Sequence, residues 1–104
     1  MSKFNEREKS FEKKFVRDEE LQFKVNAKRN KYLGEWAAEK LSKSDADKKV
    51  YIQEVIKSDF AEPGDEDVFR KILGDFKKAS ISISDLEIRE KMSSLLEHAQ
   101  KELL

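Results

Sequence analysis

The acidic run at residues 62–67 is the part of this 104-residue chain where a chemical role is easiest to imagine. Its six residues, Glu-Pro-Gly-Asp-Glu-Asp, supply four carboxylates, and carboxylate oxygens are the ligands that Ca²⁺ prefers. The run lacks the regular oxygen-ligand spacing of an EF-hand loop. A proline–glycine turn followed by acids at a helix N-terminus explains the run better, because the helix dipole favours negative charge there. We therefore expect no metal site.

Other side chains that could do chemistry lack suitable partners. His98 is the only histidine and is expected near the end of a helix, at the surface. The chain has no cysteine, which excludes disulfides, thiol nucleophiles and Cys-based zinc sites. Its three glycines are isolated, so no glycine-rich phosphate loop exists. Without a nucleophile or an acid–base pair in a recognisable pattern, the sequence predicts a protein that is not an enzyme and carries no cofactor.

One stretch combines positive charge with aromatic rings, as nucleic-acid-binding segments do. It contains Phe23, Lys24, Lys28, Arg29, Lys31 and Tyr32. In a helix, the rings are expected to face the core and the lysines the solvent. The 22 basic and 22 acidic residues of the chain cancel, so net charge gives no reason to expect nucleic acid or an anionic membrane as a partner.

The elements that must position these residues are helices. Charged residues make up 42% of the chain, strand signals are nearly absent, and there are only three glycines and one proline. The pattern predicts helices from about Glu6 to Leu41 and over 46–61, 66–79 and 85–102. Capping residues lie at 42–45 and in the Ser-x-x-Glu box at 84–87. Four amphipathic helices with short connections form a small all-α four-helix bundle.

Apolar spacing predicts which side chains build the core. From Phe23 onward the first helix acquires a normal core face. The expected inward residues are Val25, Tyr32, Leu33, Trp36, Ala37, Leu41, Tyr51, Ile52, Val55, Ile56, Phe60, Val68, Phe69, Ile72, Leu73, Phe76, Ile88, Met92, Leu95, Leu96, Ala99 and Leu103. Gly34 and Gly74 fall inside helices, where close helix packing would be one reason for a glycine.

No apolar run approaches the roughly 20 residues that span a bilayer. The first seven residues carry acids and no apolar core, unlike a signal peptide or a typical transit peptide. We expect a cytoplasmic protein with no direct membrane insertion.

The first 20 residues look surplus to the bundle. Residues 1–31 hold ten basic and six acidic residues, whereas residues 32–104 hold twelve and sixteen, so a basic N-terminal segment precedes an acidic body. If the segment is helical, its three phenylalanines fall within an arc of about 40°. This aromatic stripe consists of Phe4, Phe11 and Phe15, and it is flanked by Arg7, Glu8, Lys14 and Asp18. Such a narrow stripe suits a groove in a partner better than a bundle's own core.

Energetics predict that this arm, residues 1–20, is flexible when free and becomes helical on binding. Three buried phenylalanines are worth about 5–9 kcal/mol. Ordering some 17 backbone residues costs roughly 1–2 kcal/mol each, so the stripe alone cannot order the arm. The chain is accordingly divided into an arm, 1–20, and a bundle domain, 21–104. A solvated extension of the first helix, held by intrahelical pairs, remains the open alternative.

Three strings resemble those of one bacterial family. They are Tyr-Leu-Gly-Glu-Trp-Ala-Ala at 32–38, the segment running from Asp-Phe at 59–60 through Gly-Asp-Glu-Asp-Val-Phe-Arg-Lys at 64–71, and Ile-Arg-Glu-Lys-Met at 88–92. The N-terminal pattern of phenylalanines and acids is also similar. The family comprises the small α-proteobacterial proteins whose characterised branch is the zeta subunit, the inhibitor of the F1Fo-ATP synthase. The resemblance covers essentially the whole chain.

The resemblance implies a four-helix fold whose mobile N-terminal segment inhibits ATP hydrolysis. That segment would insert as a helix at a catalytic α/β interface of the F1 head, near the γ subunit, and block rotation. Carried over by motif, the F1-binding residues are Phe4, Phe11 and Phe15 as apolar anchors, with Arg7, Glu8, Lys14 and Asp18 around them. The protein would lie at the cytoplasmic face of the inner membrane when bound to the synthase.

Two other functions stay open at this point. The first is a non-inhibitory helical module that binds a protein or an adenine nucleotide, since zeta-like proteins have been linked to adenine nucleotides. No motif in the sequence places a nucleotide, so the residues of such a site are unknown. The second is a small enzyme, which the lack of a catalytic constellation disfavours.

Overall fold

A computed structural model describes the backbone of residues 2–60 and 64–103, and the side chains of residues 19–60 and 64–103. Within those ranges the chain forms four helices and no strand. They are α1 (Ser2–Lys40), α2 (Asp45–Ser58), α3 (Glu66–Lys78) and α4 (Asp85–Leu103). The predicted all-α four-helix fold is confirmed. The second helix ends at Ser58, three residues earlier than predicted.

Local sequence signals set the helix ends. The Oγ atom of Ser44 accepts a hydrogen bond from the Asp47 amide, and that of Ser84 accepts one from the Glu87 amide, so both predicted caps form. The C-terminal end of α1 is closed by Ser42, whose φ of 56° is left-handed. The Lys43 amide there bonds the carbonyl of residue 38 at 3.0 Å, which is the 6→1 bond of a Schellman turn. These turns fix the short connections that stack the helices side by side.

The core lies between the C-terminal part of α1 and the other three helices. Its first buried side chain along the described part of α1 is Val25, at 2% exposed. The buried apolar cluster consists of Leu33, Ala37, Ala38, Tyr51, Val55, Val68, Phe69, Ile72, Phe76, Ile88 and Met92. Most of the predicted core is therefore confirmed. Phe23 and Phe60 are the exceptions, because they are 59% and 62% exposed.

Gly34 lies where α1 packs closely against α2. A Cβ atom added there would lie 3.0 Å from the Cα of Ile52, a backbone atom that cannot rotate away. At Gly74, in α3, an added Cβ would meet nothing within 4 Å. Close packing thus accounts for the first glycine, as predicted, and not for the second.

This contrast gives a matched pair of substitutions. Gly74→Ala is expected to stabilise the protein by about 0.5–1 kcal/mol through helix propensity alone. Gly34→Ala gains the same propensity but forces the helices apart, which costs about 1–3 kcal/mol, so we expect net destabilisation. Urea unfolding of both variants measures the difference. A Gly34→Ala protein at least as stable as Gly74→Ala would contradict the close packing of α1 on α2.

No helix within residues 2–60 and 64–103 has the length and apolar character needed to cross a membrane.

Candidate partner-binding site

The residues predicted to bind a partner all belong to α1. Its backbone is one continuous helix of 39 residues, about 58 Å long, from Ser2 to Lys40. The predicted contacts are Phe4, Arg7, Glu8, Phe11, Lys14, Phe15 and Asp18, and their side chains lie outside the described residues. The helix therefore runs through the predicted arm and joins it to the bundle without a break.

A buried arginine anchors this helix where it enters the bundle. Arg29 is only 1% exposed, and its Nη2 atom donates to Oδ1 of Asp65 at 2.8 Å. Its Nε atom donates to the side-chain oxygen of Asn30 at 2.7 Å. The sequence placed Arg29 in a basic stretch, yet its guanidinium lies inside the protein and is paired there. A buried charge with these bonds holds α1 in register against the turn that begins α3.

The neighbouring Asn30 ties α1 to the end of α2. Its Nδ2 atom donates to Oδ2 of Asp59 at 2.9 Å, and Asn30 itself is 1% exposed. Together, Arg29 and Asn30 bind both sides of the connection between α2 and α3. Asn30 was not among the residues predicted to have a role. The burial of Arg29 could have been predicted from spacing, because Arg29 lies four residues after Val25 and four before Leu33 and so shares their helix face.

Asp65 holds the N-cap position of α3 through its backbone and not through its side chain. Its carbonyl accepts from the Phe69 amide at 3.0 Å, whereas its side chain makes no capping hydrogen bond. The carboxylate is turned to Arg29 instead. The hydrogen bond from that guanidinium holds the pKa of Asp65 below its ordinary value, against the opposing effect of partial burial.

The other acids of the run 62–67 with described side chains also bind cations of the chain. Glu66 lies 2.9 Å from Arg89, and Asp67 lies 2.7 Å from Arg70. Within the residues that the structure describes, no group of three or more histidines, acids or cysteines is arranged to hold a metal ion. The described acids of the run, Asp65, Glu66 and Asp67, therefore form ion pairs around the start of α3.

Two exposed aromatic rings lie beside the Arg29 network. The ring centroids of Phe23, on α1, and Phe60, just after α2, are 5.9 Å apart. The prediction that both face the core is wrong. The rings border a cleft of about 220 Å³ that also reaches the polar residues of the network. This Phe23–Phe60 cleft is lined by Phe23, Asn26, Asn30, Asp59, Phe60 and Asp65, among others.

A polar clamp fastens the end of α4 to α1. The carboxylate of Glu102 accepts from the Tyr32 hydroxyl at 2.7 and 2.8 Å and lies 2.6 Å from Nζ of Lys28. The Nε2 atom of His98 is 2.7 Å from the same carboxylate. Hydrogen bonds from Lys28 and Tyr32 lower the pKa of Glu102, and that carboxylate raises the pKa of Tyr32 in return. The clamp occupies Lys28, so the predicted basic stretch is not one continuous solvated face.

The fold and this geometry define the class of protein: a small all-α bundle whose first helix begins 23 residues before Val25, the first buried residue among the described side chains. The particular family follows from comparison. The chain belongs to the ATPase inhibitor subunit zeta family, whose sequence model matches residues 1–102. The resemblance seen in the sequence is thereby confirmed, and the chain belongs to a family of ATPase inhibitors.

The chain is similar to a protein of known structure. A solution NMR structure superposes with a TM-score of 0.70 at 43% sequence identity, covering 80% of this chain and 94% of that one. No curated protein matches the chain significantly.

Proposed function

We propose that this protein inhibits ATP hydrolysis by the bacterial F1Fo-ATP synthase by inserting its arm, residues 1–20, at a catalytic α/β interface of the F1 head. The arm blocks rotation of the γ subunit, and the bundle, residues 21–104, holds it from outside. The observation that carries the proposal is the match to the inhibitor family over residues 1–102. The protein acts by binding and not by catalysis, at the cytoplasmic face of the inner membrane.

The register of α1 supports insertion of the arm. Eighteen residues make five turns of a regular helix, so positions 11 and 15 share the azimuth of positions 29 and 33. Arg29 and Leu33 are 1% and 0% exposed because the bundle covers that side of α1. The aromatic stripe thus continues, along one helix, the side that the bundle buries further on. A groove in the partner would cover Phe11 and Phe15 as the bundle covers Leu33.

The charged residues beside the stripe complete the proposed contact surface. Arg7 and Lys14 would meet acidic groups of the F1 subunits, and Glu8 and Asp18 basic ones. Because such pairs at an interface rim mainly set association rate and specificity, we expect most of the binding energy from Phe4, Phe11 and Phe15.

Truncating the stripe tests this assignment. Phe11→Ala with Phe15→Ala is expected to weaken binding to F1 by several kcal/mol, with about 3 kcal/mol per buried aromatic as an upper guide. The matched control is Lys9→Ala with Lys13→Ala, which truncates two arm residues on the other side of the helix. Calorimetric titration of F1 with each variant measures the change. Equal affinities for the two variants would remove the stripe from the mechanism.

The non-inhibitory alternative, a module that binds a protein or an adenine nucleotide, makes a different prediction. Such a module would leave the hydrolysis rate of F1 unchanged at saturating concentration. The assay of ATP hydrolysis by F1 of the same organism, with and without the full chain, therefore separates the two functions.

A further inference from the structure

Two exposed aromatic rings lie side by side at the Phe23–Phe60 cleft. The two rings are 59% and 62% exposed and lie 5.9 Å apart, so together they form a patch. Val50 and Leu86 are the other large apolar side chains exposed in the described part, and neither carries a ring. Isolated apolar side chains are common at surfaces, whereas a paired aromatic patch beside a cleft marks an interaction site.

The backbone fixes the position of this patch. Phe60 follows α2 in a turn, and the Phe60 amide donates a hydrogen bond to the carbonyl of Lys57 at 3.1 Å. Phe23 belongs to the continuous helix α1. Asn30 and Arg29 tie the two segments together through Asp59 and Asp65. A partner would thus meet rings that are already in place, which reduces the entropy lost on binding.

Negative charge lies next to the rings. Asp59 lines the cleft, and its carboxylate accepts a hydrogen bond from the neutral side-chain amide of Asn30 and not from a cation of the described residues. Asp65 has one cation, Arg29, and its side chain remains 47% exposed. The described residues that line the cleft include these two carboxylates and no basic side chain, so the lining carries a net negative charge.

We propose that this cleft receives a cationic side chain, arginine or lysine, from the F1 subunit that the arm engages. The inference rests on the proposed function. Aromatic faces attract a cation through the ring quadrupole, and an adjacent carboxylate adds a charge-assisted hydrogen bond. A cleft of about 220 Å³ accommodates one such side chain.

The position of the cleft on α1 indicates that the cationic side chain belongs to the same F1 subunit that binds the arm. Eight residues separate Phe15 from Phe23, which is about 12 Å along a helix. A subunit that covers the stripe therefore needs to extend only two more turns to reach the cleft. The cleft would fix how far the arm enters, because the bundle stops where the cationic side chain is seated.

Substitutions in the full chain test the cleft. Phe23→Ala with Phe60→Ala removes both rings, and Val50→Ala with Leu86→Ala is the control, since it truncates two equally exposed apolar residues. Asp59→Asn removes the charge but keeps an oxygen for Asn30. We expect the ring variant to raise the Kd for F1 at least about tenfold, and Asp59→Asn to raise it less and to weaken its dependence on salt.

The outcomes separate this inference from the proposed function. If the unsubstituted chain inhibits F1 and the ring variant binds as tightly as the control, the cleft has no role and the proposed function stands. If the unsubstituted chain neither binds nor inhibits F1, both fail. A photoreactive benzoyl-phenylalanine at position 60 should cross-link to a peptide of an F1 subunit that carries arginine or lysine. Cross-linking only to a second copy of this chain would overturn the inference.

Discussion

Deleting residues 1–17 is expected to abolish inhibition of ATP hydrolysis by F1 while the bundle stays folded. The deletion removes the aromatic stripe and the charges around it but stops before Val25, the first buried residue in the described part of α1. It leaves 23 residues of α1 from Asp18 onward, including every described contact with the other helices. We therefore expect the midpoint of thermal unfolding to change by less than about 5 °C, the effect of roughly 1 kcal/mol in a chain of this size.

Two measurements on the same preparation check this result: the rate of ATP hydrolysis by F1 and the thermal unfolding of the variant. A full-length control with the residues of the arm in scrambled order keeps its charge and composition and should also fail to inhibit. Full inhibition by the deletion variant would place the inhibitory surface on the bundle. A collapse of the unfolding midpoint would show that the arm belongs to the core and that the division at residue 20 is wrong. Turnover of a substrate by the variant would instead favour an enzyme.

Periodicity and capping chemistry predicted the helices because both are local properties of the chain. Ser44 and Ser84 cap α2 and α4 with hydrogen bonds that depend on residues three positions away. The inward faces of α3 and α4 follow the same rule, and Phe76 and Ile88 are buried as predicted. Such features need no knowledge of how the helices are arranged in space.

The cleft could not be predicted in this way, because it depends on where helices end. Phe60 lies beyond Ser58, the last residue of α2, so the azimuth it would have in a longer helix does not apply. Phe23 lies two residues before Val25, which places the two on nearly opposite sides of α1. Phe60 was assigned to the core from apolar spacing along a helix that ends before it, and Phe23 was assigned as an aromatic ring, so these two positions show the limits of both rules.

The contact between Arg29 and Asp65 was not predicted, for a related reason. Their 2.8 Å contact joins residues 36 positions apart, and only the packing of α1 on the start of α3 brings them together. By type, an arginine in a basic stretch is expected in solvent, and an aspartate before a helix is expected to cap it. Residue type set both expectations, whereas tertiary structure determines which partner each side chain finds.

Removing Asp65 is expected to destabilise the protein much more than removing the next acid along the chain. Asp65→Ser keeps a good N-cap residue but is too short to reach Arg29, whose guanidinium is then buried without its carboxylate. Breaking a fully buried pair costs about 3–5 kcal/mol, and since the Asp65 side chain is 47% exposed we expect about 2–3 kcal/mol. Glu66→Ala, which breaks the exposed pair with Arg89, should cost less than about 1 kcal/mol.

Two further measurements decide whether the buried charge causes this loss. Arg29→Met replaces the cation with an apolar side chain and should cost less than Asp65→Ser, because it leaves no unpaired charge inside. The pKa of Asp65 is lowered in the folded protein, so its contribution is present above the unfolded pKa of about 3.8 and is lost as the pH falls through the folded value. The difference in free energy of unfolding between the unsubstituted protein and Asp65→Ser, measured with urea, should therefore become smaller below about pH 4. If this difference in free energy of unfolding stays constant down to pH 2, the ion pair of Arg29 and Asp65 does not hold α1 against α3.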